Sequence, residues 1–153
     1  GAFAYSLGAS MEGRMAYWLL KSEPDVFSWD DLVARGDAGE PWTGVRNHTA
    51  KLNLMAMKTG DLAFFYHSQS GKAIVGVAEV IAEHYPDPTD PKGVFCCVDI
   101  KARNPLPRPF TLAEAKADPE LANMSLVTSF RLSVQPVTAE AWDHILTCVG
   151  QAG

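Results

Sequence analysis

Residues 61–83, DLAFFYHSQSGKAIVGVAEVIAE, decide the fold class. Asp61–His67 and Ala73–Glu83 are rich in aromatic and β-branched residues and flank a polar, glycine-containing link, so both are expected strands joined by a turn over Ser68–Lys72. So short a link joins antiparallel neighbours, because a parallel pair needs a crossover of a dozen residues or more. The sheet is therefore at least partly antiparallel.

Working outward, Ala16–Leu20 reads as a short buried strand ended by Pro24. Ser28 caps a short helix, Trp29 to Arg35, with Asp30 and Asp31 in the first turn, Phe27 and Leu32 at staple spacing and Gly36 as the stop. Gly39–Val45 is a loop, and Asn47 caps a second helix to about Lys58. Beyond the hairpin, three prolines make Tyr85–Gly93 a loop, and Val94–Arg103 is a further strand. Thr111 and Glu114 form a capping box for a helix ended by Pro119, with another turn through Leu121. Arg131–Val134 reads as a last strand, and Thr138 caps a final helix with Trp142, Ile145, Leu146 and Val149 on one face. Short helices scattered among more numerous strands predict an α+β fold: a mixed, mostly antiparallel sheet curled into an open barrel with helices packed around it.

Composition narrows the function. The chain has 153 residues, enough for one domain with its own core, and 47% of them are hydrophobic against 20% charged. Its mean hydropathy is −0.04. Thirteen basic against 18 acidic residues give a net charge of −5, which excludes an extended phosphate-gripping footprint and leaves room for a pocket that reads one nucleotide. There is no apolar run of about 18 residues, so no membrane partner is expected. Cys96 and Cys97 are adjacent and Cys148 is distant, a spacing that suits neither a disulfide framework nor a zinc motif. They read as core-filling thiols in a reducing compartment, cytoplasmic, or nuclear in a eukaryote. His48, His84 and His144 lack partners at ligand spacing and read as surface, so no metal and no cofactor are expected. Residues 1–14, before Met15, read as an expression-tag remnant, leaving 15–150 as one domain, expected to be monomeric.

Four segments carry polar and aromatic residues that packing does not demand. Trp18-Leu19-Leu20-Lys21-Ser22 sends Lys21 and Ser22 out of a buried strand, with Trp18 open to a core or a ligand-facing role. Trp42-Thr43-Gly44-Val45-Arg46-Asn47 brings an aromatic and an arginine to a helix start. A cation there opposes the helix dipole, so Arg46 calls for an anionic partner or a carboxylate such as Glu23. Tyr66-His67-Ser68 closes a strand in polar groups, and Arg131-Leu132-Ser133-Val134-Gln135-Pro136 precedes the final helix. His67 fits a structural histidine as readily as a functional one. No nucleophile elbow, phosphate loop or dinucleotide motif is present, so no catalytic residue is assigned.

These segments, in this order, together with Met57-Lys58-Thr59-Gly60-Asp61, Val75-Gly76 and Tyr85-Pro86-Asp87-Pro88, resemble the EVE domain family (thymocyte nuclear protein-like) of the PUA-like superfamily. Thr128-Ser129-Phe130 departs from the family's more polar stretch there, and Cys96-Cys97 stands where relatives are more aromatic. The resemblance implies a non-catalytic domain that recognises a modified nucleobase, a modified cytosine first, in DNA or RNA. A flipped base would lie in a slot at one barrel end. Trp42 and Tyr66 would stack on it, while Ser22, Asn47, His67 and Ser133 would read its edge. Lys21, Arg46 and Arg131 would meet phosphate or carbonyl groups, and a methyl group would sit near Trp18, Val45 or Leu132, with Ser68 at the rim. Two other classes stand beside this reading: an amidohydrolase-like enzyme acting on a modified pyrimidine, and a small-molecule or protein-interaction module using the same cavity.

Overall fold

The computed structural model describes residues 15–151, so the expected tag over 1–14 lies outside the described residues. Six strands form one mixed sheet. They are β1 (Tyr17–Ser22), β2 (Glu40–Pro41), β3 (Leu62–His67), β4 (Ala73–Pro86), β5 (Cys96–Thr111) and β6 (Val134–Val137). Between them lie α1 (Trp29–Ala34), α2 (His48–Ala56), α3 (Leu112–Ala117), α4 (Ser125–Thr128) and α5 (Ala139–Cys148). The spatial order is β2-β5-β4-β3-β1-β6. The β3–β4 hairpin is antiparallel as expected, whereas β1 runs parallel to β3, from Tyr17 opposite Leu62 to Ser22 opposite His67. No helix of the described residues is long and apolar enough to cross a membrane.

The strands read as continuous apolar runs because both faces of the sheet are covered. Leu19, Phe64, Tyr66 and Ile74 join one core with α5, where Tyr17 and Phe64 stack on Trp142. Trp18, Leu20, Ala63 and Phe65 alternate into the other, with Trp29, Trp42 and Leu54. At Gly76 the sheet meets α1 so closely that an added Cβ would lie 2.6 Å from the Trp29 ring. Asp61 anchors the start of β3: its buried carboxylate accepts from Trp18 Nε1 (2.9 Å), Lys58 N (3.0 Å) and Ala16 N (3.2 Å).

Several element bounds differ from the sequence reading. Helix α2 stops at Ala56, because Met57 turns extended into the core and Asp61 captures the Lys58 amide. β4 runs on to Pro86, into the expected loop, and β5 begins at Cys96 and continues past Arg103 to Thr111. The register slips between Ile74–Phe110 and Gly76–Pro105, so Pro107 and Pro109 fall within an irregular, longer arm of β5 where a ladder donor is not required. β6 begins at Val134 rather than Arg131, since Leu132 N donates to Ser129 O in a turn that uses up the preceding residues.

Candidate functional site

A cleft of about 570 Å³ gathers Glu40 and Pro41 from β2, the Trp42–Arg46 loop, the Lys21–Glu23 end of β1 and Ser133 beside β6. β2 and β6 are the two edges of the sheet. Ser133, next to the β6 edge, shares the cleft with β2, so the cleft forms a seam between the two ends of the unclosed sheet. This is the open barrel expected from the strand pattern.

The β2 side is held rigidly. Trp42 N donates to Val98 O (2.7 Å), and Gly44, at φ +86°, donates its N–H to Asp87 Oδ2 (2.8 Å). Asp87, whose side chain is fully buried, also accepts from Arg46 Nη1 (3.1 Å) and from Thr89 N and Oγ1 (both 2.7 Å). Burial by itself would raise this carboxyl, but the hydrogen bonds from Thr89, Gly44 and Arg46 outweigh it and bring it down to about 2. The carboxylate that the position of Arg46 requires is thus Asp87 and not Glu23. Arg46 is half-exposed, with Nη2 on Thr89 Oγ1 (2.9 Å), so it is oriented and still reachable. Trp42 lines the wall while only 9% exposed, edge-on to Phe27 and Phe65 at 6.1 and 5.7 Å. Phe27 precedes the α1 cap, where Ser28 and Asp31 close a capping box.

The β1–β6 side is looser. Lys21 N donates to Ser133 O (3.0 Å), and the Lys21 ammonium donates to Phe130 O, 5.2 Å from the Phe130 ring. Burial lowers this ammonium below its ordinary value. Ser22 Oγ is engaged with Phe27 O. The turn carrying Ser133 is shaped from beneath by Gln135, fully buried, whose Nε2 donates to the carbonyls of Leu132, Ser129 and Ser125.

Of the residues singled out from sequence, Lys21, Ser22, Trp42, Val45, Arg46 and Ser133 meet at the cleft. The others serve elsewhere. Trp18 is core, bonded to Asp61. Asn47 Oδ1 caps α2 through Ala50 N (2.9 Å). His67 Nε2 accepts from Trp29 N (3.0 Å), and burial lowers its pKa, keeping that nitrogen free to accept. Tyr66 is 3% exposed and faces the α5 core. Ser68 N donates to Ser22 O, Leu132 packs on the Trp42 core, and Arg131 is exposed with no side-chain partner among the described residues. Sequence reasoning singled out Glu23, as a possible partner of Arg46, but gave no role in the lining to Phe27, Val26, Arg35 and Glu40, nor to Asp87 behind it. Only Asp87 had a signal: Pro86-Asp87-Pro88-Thr89 is an Asx-turn pattern, which seats a carboxylate against its own following backbone.

The EVE domain family model matches residues 16–148. The chain belongs to the EVE domain family. Thymocyte nuclear protein 1 of Homo sapiens is 35% identical over 169 residues, covering 90% of this chain and 75% of that protein. Rpa0253 from Rhodopseudomonas palustris, solved by NMR, is 62% identical with a TM-score of 0.85, over 89% of this chain and 94% of that one. The crystal structure of the human THYN1 protein in complex with 5-methylcytosine containing DNA is 34% identical with a TM-score of 0.81, over 90% of this chain and 99% of that one. A YTH domain of Zygosaccharomyces rouxii, at 19% identity and a TM-score of 0.55, shares the fold alone. Neither the family nor these relatives bear the name of an enzyme.

Proposed function

We propose that this EVE domain binds a modified base in DNA, a 5-methylated cytosine first, by holding the extruded base in the seam cleft. The observation that carries the reading is the composition of that cleft: aromatic walls, three cations and two carboxylates around about 570 Å³, within the range of small-ligand sites. The relative solved with 5-methylcytosine containing DNA supports the choice of base.

The roles follow from the lining. Trp42 and Phe27 supply the aromatic wall, since Tyr66 faces the other core. Val45 and Val26 offer apolar surface for a methyl group. Glu23 or Glu40 can accept from the exocyclic amine of cytosine, the pairing that carboxylates make with that base. Lys21 and Arg46 meet the flanking phosphates. With a net charge of −5, few phosphates are neutralised, so discrimination comes from the pocket and the salt dependence is shallow.

Fluorescence anisotropy with short DNA and RNA, unmodified or carrying methyl-, hydroxymethyl- or acetylcytosine or methyladenine, tests the reading. Preference for methylcytosine DNA that is lost in Trp42→Ala is the expected result. Uniform binding across the panel, or none, would overturn it. A 2-aminopurine placed at the target position brightens on binding if the base leaves the stack, and stays dark if it does not.

A further inference from the structure

We propose that Asp118, His144 and Cys148 form a binding site for a single thiophilic divalent cation of the zinc type, remote from the cleft. None of the three lines the cleft. His144 and Cys148 stand four residues apart on α5 and share a face. Asp118 approaches from the segment after α3, where its Oδ1 accepts from Glu120 N (2.9 Å) and caps the next turn. The three donor atoms all lie within 4.8 Å of one another.

The geometry converges on one ring nitrogen. Asp118 Oδ2 is 2.6 Å and Cys148 Sγ 3.6 Å from the same His144 Nε2. That nitrogen carries one proton or one lone pair, so it cannot satisfy a carboxylate and a thiol together. A cation among the three does. With bonds of about 2.3 Å to sulfur and about 2.0–2.1 Å to nitrogen and oxygen, tetrahedral angles set S···N at about 3.6 Å and O···N at about 3.4 Å. The sulfur is already at that separation, and Asp118 needs to withdraw by under an ångström.

The surroundings match. On the outer side, Glu120 Oε1 lies 3.9 Å from His144 Nδ1, beyond hydrogen-bond reach but placed where an outer carboxylate could orient a ligating imidazole. The neighbouring Arg108 donates to Cys148 O (3.2 Å), but its charge is taken up by Glu114 at 2.9 Å. Sulfur, imidazole and one carboxylate select zinc over magnesium or calcium. The fourth position falls to water, and the ion would tie α5 to the segment after α3.

Titrating the reduced protein with Co²⁺, followed by absorption, tests this. One equivalent should bind with a thiolate-to-cobalt charge-transfer band and be displaced by Zn²⁺, and Zn²⁺ should raise Tm. Cys148→Ser should abolish the band, while His144→Ala and Asp118→Asn should weaken binding at least tenfold. All three variants should keep the parent circular dichroism and lose the Zn²⁺-dependent rise in Tm. Absence of saturable one-equivalent binding, or a band that persists in Cys148→Ser, would overturn the site.

Discussion

The two sides of the seam cleft are built differently. The β2 side, Trp42 to Asn47, is fixed at almost every residue: Trp42 to Val98, Gly44 and Arg46 to Asp87, Asn47 to Ala50. The β1–β6 side depends on the Lys21 contacts to Ser133 and Phe130 and on a turn held from below by Gln135, while Phe130 is 57% exposed and Arg131 is unpartnered among the described residues. A pre-formed side costs nothing to organise on binding, whereas a loose side can close over what the first has accepted.

The comparison breaks most severely at Asp87. Asp87→Ala leaves the Gly44 and Thr89 donors and Arg46 without their acceptor, and is expected to lower unfolding stability by about 3 kcal/mol; a urea titration reads the midpoint. If stability holds, the β2 side is not fixed through this carboxylate. Next in size, Trp42→Ala should weaken methylcytosine-DNA binding by about 2 kcal/mol, about 30-fold in Kd. An equal loss in Arg131→Ala would erase the distinction between the sides.

Acid separates the two kinds of anchor. His67 accepts from the first amide of α1 as a neutral ring, and burial lowers its folded pKa. The unfolded chain therefore binds its proton first. This contribution is present above about pH 6.5 and is lost as pH falls through the lower folded value. Asp87, at about 2 when folded, keeps its contribution until pH drops below the ordinary carboxylate range. Thermal melts between pH 7.5 and 5 should show a decline that His67→Gln flattens and Asp87→Asn does not. The smallest effect belongs to Arg131→Ala, which lies outside the cleft lining and is expected within about 0.5 kcal/mol in stability, with the log–log salt slope of binding unchanged. A parent slope steeper than about 4 would show a phosphate footprint wider than the cleft supplies.

Much of the secondary structure was legible because its signals are local. Ser28 and Thr111 both close capping boxes, with Asp31 and Glu114, and Asn47 and Thr138 cap their helices as read. The hairpin followed from a link too short for any other pairing. The length of β5 was hidden, because Pro105, Pro107 and Pro109 argue against a strand unless the register is irregular and the partner on that side has ended. Tyr66 looked like a ligand-facing aromatic and Trp18 stayed open between core and ligand, because both faces of this sheet are buried and a motif does not say which core a side chain enters.

The sequence by itself determined the caps, the hairpin, the mixed sheet, the acidic balance and an ordered set of motifs specific enough to mark the family, since each depends on neighbours a few residues apart or on composition. Only the tertiary structure decided that β2 and Ser133, beside β6, share one cleft, that Arg46 answers to Asp87 across 41 positions, and that Asp118 closes on His144 across 26. Those pairings are set by sheet curvature and strand order. Both come from packing the whole apolar surface at once, which no local spacing encodes.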